Sequence, residues 1–505
     1  MKTNTDQAKI GSFIKSLREQ RGLTQGEFAK SLATSQSAVA RMEKGAQNLT
    51  LEQIAKISDV LEHKIVAISD SVDFKIEGGQ KLSGTIRTNC SKNGAVGLIA
   101  AALINKDTTT LKGIPYIEEV HRMMEALQSI GVKIKWSGMN TLEITPPKKY
   151  NFKNIDEAAF RKIRVGLYLF GALGKQLDGF SLPHSGGCKM GKRTISAHEG
   201  ALTALGLKIK TTDTHYQVSH GKLHGADITM LEAGDTSTIN ALLLAAQIPE
   251  KTILRFAPPN YQVQEVCFFL QKLGVQIEGI GTTTLTVKGR DKFNKAISYE
   301  NSEDPIESMM FISAAIVTHS KLTITRCPID FLRLEMEKLK GMGQKFTVSK
   351  VYTAKNGFTK LVDITVLPSK LKALADKIHP LPYPGINADN LPFFVPIATV
   401  AEGTTLVHDW MWENRAIYFT ELNRLGANVH LADPHRAFIE GPTKLTGAQV
   451  VCPPALRPAM IILIAMLGAS GTSTLRNVYS IRRGYEEIAD RLNSIGAKIT
   501  VITGV

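Results

Sequence analysis

A cysteine set among glycines and cations is the most reactive arrangement in this chain. The stretch Ser185-Gly-Gly-Cys188-Lys-Met-Gly-Lys-Arg193-Thr-Ile-Ser-Ala-His198 places Lys189, Lys192 and Arg193 within five residues of Cys188. Neighbouring cations stabilise a thiolate and glycines make a pliable, exposed loop, so Cys188 reads either as an activated thiol or as an inert packing residue. Asp389 lies in Pro384-Gly-Ile-Asn-Ala-Asp389-Asn. A carboxylate there can take a proton from a nearby hydroxyl, or simply close an Asx-turn. Lys92 and Asn93 fall where the chain turns into an apolar helix, a place whose free N–H groups favour anions. Arg415, Arg457 and Arg483 stand in Trp412-Glu-Asn-Arg, Leu456-Arg-Pro and Arg482-Arg-Gly-Tyr-Glu, where each taken singly suits a surface ion pair.

The elements that must position these groups recur. An apolar pair leads into a glycine and then into alternating residues at Gly131, Gly206, Gly274, Gly343, Gly426 and Gly496, spaced by 75, 68, 69, 83 and 70 residues. Each copy reads as a helix end with a left-handed glycine cap, followed by a strand. The chain therefore holds six α/β units of about 70 residues, too long for solenoid repeats.

Length and composition set limits. At 505 residues and 43% hydrophobic, the chain has ample material for several folded cores. Its five cysteines are scattered without a Cys-x-x-Cys pair, which argues against a disulfide framework or a zinc site and for a reducing cytoplasm. The apolar runs Ala95–Ile104 and Ala459–Leu467 are too short to span a bilayer and read as buried helices. The net charge of +15 asks for an anionic partner. Residues 1–70 hold 10 Lys/Arg against 8 Asp/Glu, so +13 lies on the repeated part, where a substrate cleft is its expected sink.

Residues 1–70 follow a helical period with breaks near Gly22, Ala33-Thr34 and Gly45 to Asn48, giving four or five short helices. Thr24 with Glu27 predicts a capping box, and Thr34 or Ser35 a further N-cap. The segments Leu-Thr-Gln-x-x-Phe-Ala and Ser-Gln-Ser-Ala-Val-Ala-Arg-Met-Glu-Lys-Gly resemble the repressor-type helix-turn-helix. That resemblance implies that Gln25, Ser35, Gln36, Ser37 and Arg41 face DNA, most simply in a homodimer on paired half-sites. A helical assembly module is the competing reading.

From Phe74 to Val505 the chain resembles the enolpyruvyl transferases, above all those acting on UDP-N-acetylglucosamine. The resemblance rests on Lys92-Asn93, the Cys188 loop, the Asp389 segment and the three arginine segments. It implies an α/β fold of six βαβαββ units in two globules, one of residues 74–92 and 301–505, the other of residues 93–300. It makes Cys188 the general acid toward phosphoenolpyruvate and the target of fosfomycin, Asp389 the general base and Lys92 catalytic. Arg193, Arg457 and Arg483 would bind phosphoenolpyruvate, with Arg415 and Asn93 beside the substrates. Arg164 and His198 fall on the sugar-nucleotide side. So does Ser196, where the family carries an aspartate that reads uracil. No metal or organic cofactor is implied, and no membrane. The chain departs from the family at Glu232-Ala-Gly-Asp-Thr236-Ser-Thr238, where two acidic residues stand in the diphosphate loop, and at Pro305, which replaces an arginine. The departures leave room for a different acceptor, and the N-terminal domain leaves room for a regulator that uses the transferase module as a ligand sensor.

Overall fold

The computed structural model describes residues 5–61, 72–186 and 194–503. All six repeated glycines adopt positive φ: Gly131 at 99°, Gly206 at 95°, Gly274 at 90°, Gly343 at 96°, Gly426 at 85° and Gly496 at 103°. At several of them the next amide reaches back to the helix, as from Val132 to the Leu127 carbonyl and from Val275 to Leu270. This closes the helix end and launches the following strand. The repeat in the sequence is thus a repeat of one backbone event.

The six units build six sheets around two cores, in an α/β fold of two globules preceded by a small all-α domain. Three sheets and their helices enclose the core that runs from Val72 to Ile86 and from Ile306 to Ile499. The other three enclose the core from Ala95 to Tyr299. Distant pairings close the first globule. Val72–Glu77 lies between Thr472–Arg476 and Ile499–Thr503, and Thr85–Arg87 runs parallel to Leu322–Pro328. Where the chain passes between the cores, Asn301 donates from Nδ2 to the carbonyls of Ser91 (2.8 Å) and Gly113 (2.9 Å).

Four helices, Lys92–Ala102, Asp235–Ala245, Pro305–Val317 and Leu456–Gly468, are sunk almost whole in these cores. Apolar residues make up most of each, and polar side chains such as Asn240, Glu307 and Ser313 are buried along with them. Among the described residues no helix is long and apolar enough to cross a membrane.

Among its described residues the N-terminal domain has four helices, Thr5–Gln20, Gln25–Ser31, Gln36–Glu43 and Leu51–Val60. Thr24 and Glu27 form the expected capping box, and Ser35 rather than Thr34 caps the third helix. Inside this domain Arg18 is paired with the buried Glu43. The domain is docked on the second globule. Tyr116 packs against its core as well as against the globule's own, and lies 3.4 Å from the Ser16 hydroxyl through its Oη.

The glycine caps differ in how much room a side chain would find. A Cβ at Gly131 would have its nearest neighbour at 3.7 Å, whereas at Gly206 it would lie 2.5 Å from the Lys222 carbonyl oxygen. Gly131→Ala should therefore cost only the left-handed penalty of about 1–2 kcal/mol, and Gly206→Ala clearly more. Urea midpoints of the two variants check the order.

Candidate active site

The site lies between the globules, where buried helices begin. Lys92 is the first residue of Lys92–Ala102, behind the Ser91 cap, and Arg457 is the second of Leu456–Gly468. Helix N-termini carry partial positive charge, so these ends add to the cations they hold.

Arg457 is 6% exposed and is held from two sides. Its Nη1 donates to the Tyr485 hydroxyl at 2.7 Å and its Nη2 to Asp389 Oδ2 at 3.1 Å. Asp389 in turn lies 3.9 Å from Nη1 of Arg415 while its side chain stays 30% exposed. Burial alone would push the Asp389 carboxyl up, but Arg457 and then Arg415 outweigh it and hold the group below the usual carboxylate range. The charged form of Asp389 is thus favoured, and part of its side chain is open to solvent.

Lys92 donates to Glu119 Oε2 at 2.7 Å. Burial would raise the Glu119 carboxyl, yet Lys92, Arg483 and Arg457 together lower it. Asn93 donates to the Tyr261 hydroxyl at 2.8 Å. Lys92, Asn93, Asp389, Arg457 and Arg483 are thus brought to one place from segments almost 400 residues apart.

Arg415 is completely buried. It grips Asp409 through Nε and, at 2.8 Å, through Nη2, which also donates to the Ala388 carbonyl at 2.7 Å. Besides the approach of its Nη1 to Asp389, it thus fixes the backbone that carries that residue. Asp409 stands above the usual range because burial outweighs its pairing with Arg415.

On the opposite side, Arg164 donates to the Thr194 carbonyl at 3.0 Å, and Ser196 is exposed as the first residue of Ser196–Ala204. His198 is 2% exposed, with Nδ1 2.9 Å from Asn240 Nδ2 and Nε2 3.4 Å from the Thr236 hydroxyl. Cys188 and Arg193 lie outside the described residues. The other four thiols are pushed up by burial, Cys267, Cys327 and Cys452 to about 12 and Cys90 beyond that. Among the described residues no cluster of His, Cys, Asp or Glu is arranged to hold a metal ion.

In the N-terminal domain Gln36, Ser37 and Arg41 are exposed along the third helix. Ser35 is exposed too, its hydroxyl accepting from Ala38 N and lying 3.0 Å from that of Ser37. Gln25 is half-buried and donates to Glu43 Oε2 at 2.8 Å.

Sequence reasoning passed over Glu119, Tyr261, Asp409 and Tyr485. Glu118-Glu119 reads as acid favoured in a helix's first turn, and nothing local marks which of the two turns inward. Tyr485 sits two residues after Arg483, inside a segment whose arginines carry the sequence signal.

The family profile described as EPSP synthase (3-phosphoshikimate 1-carboxyvinyltransferase) matches residues 76–492. The chain belongs to this family of enolpyruvyl transferases. A helix-turn-helix profile matches residues 14–64. The chain is 35% identical to a UDP-N-acetylglucosamine 1-carboxyvinyltransferase of Bradyrhizobium diazoefficiens over 85% of its own length and 97% of the relative's. It is 36% identical to the enzyme so named in Treponema denticola, over 85% and 98%. Among solved structures it is similar to the enolpyruvyl transferase NikO from Streptomyces tendae, with a TM-score of 0.74, 23% identity and coverage of 86% of this chain and 100% of that one. An enolpyruvyl transferase moves a carboxyvinyl group from phosphoenolpyruvate, and a pocket of buried cations suits that trianion.

Removing one partner of a fully buried ion pair leaves the other charge stranded, at a cost of about 3–5 kcal/mol. Arg415→Ala should destabilise the chain by that order, and Asp409→Leu added to Arg415→Met should recover much of it. Guanidinium unfolding of the two variants provides the measurement.

Proposed function

We propose that the protein transfers the enolpyruvyl group of phosphoenolpyruvate to the 3-hydroxyl of UDP-N-acetylglucosamine, or of a related acceptor, with release of phosphate. The observation that carries this reading is Asp389, ionised and open to the cleft, held against Arg457 beside Lys92. The acceptor hydroxyl attacks C2 of phosphoenolpyruvate and its proton passes to Asp389, while the Cys188 thiol protonates the methylene carbon to give a tetrahedral ketal. Loss of phosphate and of a proton from the new methyl group then regenerates the double bond. Arg457 and Arg483 neutralise the phosphate and carboxylate, with Lys92 and Arg193 completing the cationic set. Once a phosphate occupies Arg457, Asp389 loses its strongest cationic partner and becomes a better base.

Phosphate release from phosphoenolpyruvate in the presence of UDP-N-acetylglucosamine tests the reaction. Asp389→Asn should lower kcat by at least about 10²-fold while phosphoenolpyruvate still binds, whereas Arg457→Ala should weaken that binding too. Full activity in Asp389→Asn would remove it from the mechanism. Fosfomycin or iodoacetamide followed by peptide mapping should label Cys188 first, since burial keeps the other four thiols protonated.

We further propose that residues 1–70 bind DNA as a dimer through Gln36, Ser37 and Arg41. Their exposure on a helix that matches the helix-turn-helix profile supports this, and the docked transferase leaves that face open. Gln36→Ala combined with Arg41→Ala should abolish enrichment of an inverted repeat in genomic selection while phosphate release persists, because the two modules have separate cores. A selection that enriches no sequence at low salt would discard this claim.

A further inference from the structure

The helix-turn-helix domain is seated on the turn that delivers a carboxylate to the cleft. Its first helix lies along the strand Lys133–Gly138 of the second globule. Tyr116 packs against the cores of both domain and globule, its ring centroid 5.4 Å from that of Trp136 on this strand and its Oη 3.4 Å from the Ser16 hydroxyl. Three residues on, Glu119 accepts from Lys92 Nζ at 2.7 Å. Three peptide units span at most about 11 Å even when fully extended. Here they have little slack, because Ile117 and Val120 are anchored in the globule's core and the helix Glu118–Ser129 starts between them.

A second tie runs from the same turn to the other globule. Glu486 accepts from the Tyr116 backbone, and from Asn140 Nδ2 at 3.2 and 3.3 Å. It adjoins Tyr485, which holds Arg457. Tyr116 therefore joins the docked domain to partners of two cations, Lys92 and Arg457, that would receive an anion.

The carboxylate at the end of this link competes with such an anion. Lys92, Arg483 and Arg457 all favour the charged form of Glu119, and the side chains of Lys92 and Glu119 are only 13% and 11% exposed. An anion arriving among these cations meets a like charge in a poorly screened place and pushes on the helix start that carries it. The docked domain opposes that movement, because Tyr116 is wedged between two close-packed interiors that yield little.

Resting on the transfer reading above, we propose that the docked helix-turn-helix domain is a brake on anion binding in the cleft. By pinning Tyr116 it keeps Glu119 on Lys92, so phosphoenolpyruvate binds less tightly while the domain is docked. Linkage makes the effect mutual, and phosphoenolpyruvate loosens the dock by the same factor.

Two readouts on the full chain test the brake. Lys15 Nζ lies 3.9 Å from Glu19, whose charge also acts on Lys135 of the globule, so the yield of an amine-reactive cross-link between the two lysines reports docking. Calorimetry with phosphoenolpyruvate, and separately with inorganic phosphate, reports the cleft. Ser16→Trp on the domain and Tyr116→Ala on the globule should each lower the cross-link yield and tighten phosphoenolpyruvate about fivefold. Saturating phosphoenolpyruvate should lower the yield in the wild type. In a Glu119→Gln background, adding Ser16→Trp should change the affinity no further, since the coupled charge is gone. Melting curves verify folding, and the two undocking substitutions sit on separate cores, so misfolding of one leaves the other. Cross-link loss with unchanged phosphoenolpyruvate affinity overturns the brake. So does an undiminished cross-link in both variants or in the liganded wild type, or a Ser16→Trp effect that survives in Glu119→Gln. A wild type that binds phosphate but not phosphoenolpyruvate strikes the transfer reading, and the brake is then read on phosphate; binding of neither anion overturns both.

Discussion

A guanidinium taken out of water must be paired, and the site is organised around that requirement at Arg457. The residue enters the interior on the first turn of a buried helix, and the fold meets its charge with the Tyr485 hydroxyl and the Asp389 carboxylate. Asp304, at the start of another buried helix, feels Arg457 and Lys92 as well, though burial still lifts its carboxyl to about 6. The cations that would receive an anionic substrate are thus held apart by internal carboxylates. This keeps the cleft from being an unbalanced cluster of like charges.

The same economy governs the frame around the site. Arg415 and Asp409 form a buried pair that anchors the Ala388 carbonyl, so the neighbouring carboxylate is presented at a fixed place. Asn301 does comparable work where the chain passes between the cores, tying the Ser91 carbonyl just before Lys92 to that of Gly113. The two globules, with Lys92 and Arg457 at helix starts, form a cleft whose geometry depends on a few buried polar contacts.

The helix-turn-helix domain is a third core, but not a free one. Tyr116 belongs to two hydrophobic clusters at once and stacks edge-on with His121 at 4.1 Å, while Glu119, three residues along, holds Lys92. The domain's first helix is taken up by this docking, and its third helix keeps Gln36, Ser37 and Arg41 in solvent.

Much of this architecture could be read directly from residues. Six glycines with apolar neighbours demanded left-handed caps, because a residue with a Cβ resists that conformation, and all six have positive φ. Thr24 with Glu27 announced its capping box, and uniformly apolar runs announced helices without a solvent face. These are short-range constraints, settled within one or two turns of chain. Which glutamate would meet Lys92, that Arg415 would be buried on Asp409, and that Tyr116 would seat the N-terminal domain were decided only by tertiary structure. Each depends on burial and on charges brought together from distant segments, and the Coulomb energy of such a pair is set by a distance and a local dielectric that no local sequence pattern encodes.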